Sequence, residues 1–268
     1  MQNNTKFAEL RYSKRIWAIG SIHSHLESFE SIKKHILNNF SNGDRLVFLG
    51  NIIGLGNYPK ETLTSAINLR NILLSKFFLN KEDVIFLRGA QEEMFLKLLQ
   101  LHTAPNPSEI ITWMFEHGVH KTLLSYNFNE QEVYDISTQG TLSINRWVSK
   151  LNKVVTSYPG HKDYFYNLHH AAFSDNRKIL FVNRGVDVSR PLSAQNDCFW
   201  WGYQNFSKLD KPYNTFIKII RGYEPNQENN IDTKKIVCSL YKAPLSNKTI
   251  TAGLFNDSGE ILDLFESK

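Results

Sequence analysis

Three times in the first hundred residues an apolar run stops at a glycine and a helical period begins. Ile16-Trp17-Ala18-Ile19 is long enough for a buried strand, and Gly20 ends it. Small and polar residues follow (Ser21, His23, Ser24, His25), then Leu26, Phe29, Ile32 and Ile36 recur in steps of three and four, the spacing of an amphipathic helix. Arg45 to Gly50 repeats the pattern, with a loop over Asn51 to Asn57 and a helical stretch from Glu61 to Leu74. Asp83 to Gly89 repeats it again, followed by the helical stretch Glu92 to Leu99. Such strand-loop-helix units predict an α/β sheet, with any site at the carboxyl ends of the strands.

The middle of the chain changes character. Ala104 to Glu109 is a break with two prolines, and Ser108 is positioned to cap a helix over Ile110 to Tyr126. Gln139-Gly140 is a second break, and Trp147 to Val155 is an amphipathic segment that ends at Tyr158-Pro159-Gly160. Strands are expected again at Tyr164 to Tyr166, Ala171 to Phe173, Lys178 to Asn183 and Thr215 to Ile220. Lys234 to Tyr241, Thr249 to Phe255 and Glu260 to Phe265 read as a closing meander, with a hairpin turn at Asp257-Ser258-Gly259. The expected organisation is a loose leader over residues 1–12, then one domain over 13–268 with a helical insertion at about 104–160.

Composition narrows the function classes. A chain of 268 residues with 41% hydrophobic residues can bury a sizeable core. The net charge of +5 is spread without a run of five like charges, which argues against a nucleic-acid partner. Cys198 and Cys238 form no CxxC pair and read as thiols of a reducing compartment. The first fifteen residues have no apolar core of a signal peptide, and no apolar stretch approaches the eighteen or so residues of a membrane span. A cytoplasmic protein is expected.

The loops also carry a resemblance. Gly20 to His25 (GSIHSH), Gly50 to Gly56 (GNIIGLG) and Arg88 to Glu93 (RGAQEE) resemble the GDIHG, GDxxDRG and GNHE loops of the calcineurin-like metallophosphoesterases, in the branch of bacterial serine/threonine protein phosphatases. The resemblance runs from about Arg15 to Leu264. It implies a four-layer α/β sandwich flanked by helices, with a small helical insertion. It also implies two divalent metals that bridge a phosphate and activate water, with a histidine as proton donor.

Most of that chemistry is replaced. The family's first Asp falls on Ser21, and its neighbouring His ligand is kept as His23. The bridging Asp falls on Asn51, and the next Asp and Arg of that motif on Gly54 and Leu55. The ligand Asn falls on Ala90 and the catalytic His on Gln91, with Glu92 retained. Two further His ligands fall on Asn183, in Asn183-Arg184-Gly185, and on Tyr223, in Gly222-Tyr223-Glu224-Pro225. A tryptophan-arginine motif reads Trp200 to Phe206, with Tyr203 in the arginine's place. Of six ligand positions only His23 holds a suitable residue, and one imidazole cannot hold two dications.

Neutral residues at these positions suit a site without metal, because clustered carboxylates there would be poorly solvated and mutually repelled. The expected cofactor is none; the alternative, an active phosphoester hydrolase with an atypical site, would carry a divalent metal such as manganese. The leading expectation is a pseudophosphatase that binds a protein partner or a phosphorylated or acidic ligand, and a structural subunit is a third reading. Arg88, Arg184 and Arg221 flank the loops and, together with His23, are the candidate ligand-binding residues for an anion, with the helix after Gly20 offering its N–H groups. Against this, Arg88 and Arg221 could pair with carboxylates such as Glu92 or Glu224, and His23 could be a hydrogen-bonded loop residue. Glu92-Glu93 reads as favouring its helix start through the dipole, and Trp200-Trp201 as core packing.

Overall fold

A computed structural model describes residues 6–204, 206–225, 231, 234–241 and 248–267. The first five residues of the expected leader and Asn205 of the tryptophan motif lie outside them. The strands, in chain order, are β1 (Phe7–Leu10), β2 (Arg15–Ile19), β3 (Asp44–Phe48), β4 (Val84–Phe86), β5 (Ala171–Ser174), β6 (Ile179–Val182), β7 (Lys218–Arg221), β8 (Val237–Ser239), β9 (Thr251–Asn256) and β10 (Ile261–Glu266). The helices are α1 (Leu26–Asn39), α2 (Pro59–Lys76), α3 (Ala90–Leu98), α4 (Pro107–Glu116), α5 (Val119–Ser125), α6 (Glu130–Thr138), α7 (Thr141–Ser157), α8 (His161–Tyr166) and α9 (Cys198–Trp201).

The strands form two sheets, ordered β10-β9-β2-β3-β4 and β1-β5-β6-β7-β8. In the first, β2, β3 and β4 are parallel and β9 and β10 close the edge antiparallel. In the second, β6, β7 and β8 are parallel and β5 runs against β6.

Strand residues alternate between two apolar environments, which is why these segments read as continuous apolar runs rather than as a half-buried pattern. Ile16, Ala18, Val47 and Ile85 meet Ala172, Phe181, Ile220 and Phe255 between the sheets. Trp17, Ile19, Leu46 and Phe48 face the opposite way, onto helical residues such as Phe29, Ile32, Leu69 and Phe95. On the far side Leu180, Val182 and Ile219 are covered by Phe199, Trp200, Phe206 and Phe216, so the fourth layer is thin: α9 and short turns.

Four local expectations change. Phe7–Leu10 is no loose leader but an edge strand paired in parallel with β5, made by main-chain pairing rather than by any strong local signal. Tyr164 to Tyr166 is helical: Gly160 starts the turn at φ +81°, and α8 buries Tyr164 and Phe165 while exposing Tyr166. The helix expected over Ile110 to Tyr126 breaks at Gly118 (φ +92°), where a Cβ would lie 2.4 Å from Leu55 Cδ2. Ser108 sits inside α4, behind Asn106 and Pro107, and its hydroxyl meets Ser137 Oγ at 2.8 Å. Among the described residues no helix is long and apolar enough to cross a membrane.

Candidate functional site

The residues directly after β2, β3, β4, β6 and β7, with Leu240 after β8, meet at one end of the sandwich. Gly20 lies so close to Leu240 that a Cβ would stand 2.0 Å from its carbonyl oxygen, so only glycine fits. Ser21 N–H donates to Gly222 O at 2.9 Å, which ties the first loop to the fifth. The N–H groups of Ile22 and His23 both donate to Asn51 O, at 3.0 and 2.8 Å, which ties the first loop to the second. Asn51 holds φ +53°, a left-handed conformation that Asn tolerates better than most residues.

Several of the side chains that stand where ligands are expected are held by hydrogen bonds, one to another such side chain and the rest to main-chain groups. Asn51 Nδ2 donates to Ser21 Oγ at 3.3 Å, and Asn51 Oδ1 accepts from Gln91 N–H at 3.1 Å. Gln91 Nε2 donates to His117 O at 2.8 Å. Asn183 Nδ2 donates to Leu49 O at 2.6 Å, while Asn183 O accepts from the N–H groups of Gly222 and Tyr223, each at 2.9 Å. Ser21, His23, Asn51, Gln91, Asn183 and Tyr223 are thus brought to one place, and Ala90 opens α3 beside them.

His23 departs from the expected hydrogen-bonded loop histidine. It is 3% exposed, and neither ring nitrogen has a partner among the described residues. Its neighbours are aromatic: Tyr223 at 5.1 Å and Tyr241 at 6.4 Å between ring centroids, both edge-on, with Tyr223 and Tyr241 4.8 Å apart. Burial lowers its pKa to about 3, with His25 adding a smaller push, so it is neutral. Burial also raises the pKa of both tyrosines. Gln91 Oε1 and Asn183 Oδ1 likewise lack partners among the described residues.

The donor set does not fit a two-metal centre. Among the described residues no group of three His, Cys, Asp or Glu side chains could hold a metal ion. Glu92, the acidic residue retained in the third loop, is committed elsewhere. Glu92, fully buried, accepts from the N–H groups of Asn51 (2.7 Å), Ile52 (2.8 Å), Ile53 (3.3 Å) and Gly89 (3.0 Å), and from Tyr164 Oη (3.0 Å). Desolvation raises its pKa, and the N–H donors and the tyrosine pull the other way.

The chain is similar in structure to a putative diadenosine tetraphosphatase (14% identity, 98% of each chain covered, TM-score 0.55). It is also similar to a protein serine/threonine phosphatase from Saccharomyces cerevisiae (13% identity, 98% of this chain and 84% of that one, TM-score 0.50). A third is the cold-active protein-tyrosine phosphatase of a psychrophilic Shewanella species (10% identity, 98% and 82%, TM-score 0.52). No family model and no curated protein matches the chain. The fold is that of the metallophosphoesterases.

In this fold the three candidate arginines have different surroundings. Arg88 pairs with Glu93 at 3.0 Å and lies over the Trp200 ring. Arg221 pairs with Glu224 at 2.7 Å and donates to Ser239 Oγ; burial lowers its pKa. Only Arg184 makes no ion pair among the described residues, and its guanidinium lies over the Tyr223 ring at 5.8 Å.

Three residues of the site escaped the sequence reading: Glu92 as a clamp, Tyr164 as its donor and Tyr241 as the third ring. A signal for Glu92 was present. It stands three residues after Gly89, the spacing at which a Glu side chain reaches back to a helix's capping N–H. That it also holds the second loop follows from packing between distant segments.

Proposed function

We propose that this chain is a pseudophosphatase: a metallophosphoesterase-fold protein of the bacterial serine/threonine phosphatase type that works without the pair of divalent metals, binding an acidic or phosphorylated partner rather than hydrolysing it. The observation that carries this reading is that the Asn51 amide is taken up by the Ser21 hydroxyl and the Gln91 main-chain N–H, with Glu92 engaged by backbone N–H groups. Two-metal hydrolysis needs carboxylates between the cations, a bound water and a proton donor. Gln91, where the family has its catalytic histidine, cannot titrate, and neutral His23 is walled by rings. The similar structures are those of phosphatases, but a fold does not fix an activity, and the site decides.

Elemental analysis of the purified protein, with aryl phosphate turnover measured with and without manganese, tests the reading. Sub-stoichiometric manganese, iron and zinc are expected, together with turnover at background. Loss of even one transition-state donor costs about 10²–10³ in rate, and here the metals themselves would be missing. Two equivalents of bound metal, or turnover abolished by a chelator, would overturn it and favour an active phosphoester hydrolase.

A further inference from the structure

Beside the site, exposed and half-buried aromatic residues form an arc. Trp113 of α4 is 42% exposed, although large aromatic side chains are usually well covered. Its ring packs on His117 at 4.4 Å and meets the edge of Trp201 at 5.4 Å. Trp201 runs into Gly202 at φ +84°, where a Cβ would lie 2.9 Å from Arg184 Nε; the missing side chain is what lets Arg184 lie along this backbone. The guanidinium then covers Tyr223, whose edge meets His23 at 5.1 Å. Tyr203, 47% exposed, stands next to Gly202 in the chain. The arc is fixed to the site at both ends, through His117 O, which accepts from Gln91 Nε2, and through Tyr223 N–H, which donates to Asn183 O.

Three properties define what this surface takes. Its composition of Trp, Tyr and Arg is that of the anchors of binding interfaces, which give large rigid contact area at low entropy cost. Its extent, with the Trp113–Trp201 contact at 5.4 Å on one side of Gly202 and the Arg184–Tyr223 contact at 5.8 Å on the other, is more than a lone phosphate needs. Its charge is that of Arg184, which unlike Arg88 and Arg221 makes no ion pair among the described residues. A guanidinium lying over a ring keeps in-plane N–H donors for a planar oxyanion. One such cation suits a single anionic group, whereas a nucleic-acid strand needs a row of them.

We propose that this arc binds an extended acidic peptide, with a peptide aromatic side chain held at Trp113 and Trp201 and an adjacent carboxylate or phosphate forked by Arg184. The proposal rests on the preceding reading only in taking the cleft as a holding site.

The test is a fluorescence-anisotropy titration of the full chain with three fluorescein-labelled heptapeptides. One alternates glutamate and tyrosine, one carries phosphotyrosine in place of tyrosine, and one has lysine in place of glutamate. Saturable binding is expected for the two acidic peptides, weakening with salt, and not for the lysine peptide. The ratio of the two acidic affinities shows whether carboxylate or phosphate is preferred. Trp113→Ala and Arg184→Ala should each weaken binding about tenfold or more, the loss typical of an interface anchor. Trp113→Phe should retain most of it, and Arg184→Ala should also flatten the salt dependence. Thermal melting of each variant checks the fold. Equal binding of the lysine peptide, no saturable binding to the parent, or undiminished binding by the folded Trp113→Ala, Arg184→Ala double variant would each overturn the proposal. Phosphate released from the phosphotyrosine peptide would instead overturn the pseudophosphatase reading, while binding of the unphosphorylated peptide would leave the surface standing.

Discussion

Glu92 is the residue whose removal should cost the fold most. Truncation to alanine leaves four buried N–H groups, of Asn51, Ile52, Ile53 and Gly89, and the Tyr164 hydroxyl without their acceptor. Each stranded buried donor costs about 1–3 kcal/mol. The loss is partly offset, because the variant no longer desolvates a carboxylate at a fully buried position. A net destabilisation of about 3–5 kcal/mol is expected, the range seen when one partner of a buried charged network is removed. Glu92→Gln separates this account from simple cavity formation. The amide fills the same volume and keeps one acceptor oxygen, but it turns an NH2 toward two of the donors, so about 2–4 kcal/mol should still be lost. Urea unfolding followed by tryptophan fluorescence reads both variants, with an unchanged slope and a shifted midpoint as the expected signature. If Glu92→Gln unfolds within about 0.5 kcal/mol of the parent, the carboxylate is not what holds the second loop and the clamp argument fails.

Two further outcomes follow from the same geometry. His23 has a pKa near 6.5 when unfolded and about 3 when folded. Between those values the unfolded chain binds a proton that the folded chain refuses, so stability present above pH 6.5 declines as the pH falls. At about 1.4 kcal/mol per pH unit the loss reaches about 2 kcal/mol by pH 5. His23→Asn, which tolerates the local φ of +49°, should remove that slope; identical pH profiles for the two proteins would show that the imidazole is not shielded. Ser21→Asp alone should destabilise by roughly 1–3 kcal/mol, by placing a carboxylate at a position 5% exposed, beside Asn51. Manganese should not restore its melting temperature until Asn51→Asp, Ala90→Asn, Gln91→His, Asn183→His and Tyr223→His are added; rescue of the single variant by manganese would show that more of a metal site survives than the donor set contains.

Much of the fold was legible because its strands are buried on both faces. Ile16 to Ile19, Leu46 to Phe48 and Ile179 to Val182 each alternate between the intersheet core and an outer apolar layer. The glycines that end such runs are needed where loops pass within contact of one another, as Gly20 is against Leu240 and Gly89 against Asn51. The misses have one physical origin. β1 exists because β5 offers its main chain 164 residues away in register (Phe7 opposite Ala171). Tyr164-Phe165-Tyr166 has strand propensity but lies in a helical turn, because the helical core buries two of its rings. Positions in the site could be assigned from the loops, but not their bonds: whether His23 has a partner depends on Tyr223 and Tyr241, two hundred residues downstream.

The replacements also make sense as a set rather than one by one. An aspartate at position 51 could accept from Gln91 N–H as Asn51 does, but it would offer Ser21 Oγ no donor and would add a charge 1% exposed to solvent. Asparagine meets both demands, since its carbonyl accepts and its amide donates. A histidine at position 223 would set a second imidazole about 5 Å from His23, where the tyrosine ring now packs edge-on. With tyrosine there, the same ring becomes the platform under Arg184. On the proposed reading, the tyrosine that stands in place of a metal ligand therefore also builds one end of the aromatic arc. Loss of metal chemistry and gain of a binding surface would then depend on one residue, and reverting Tyr223 should weaken peptide binding before it restores any hydrolysis.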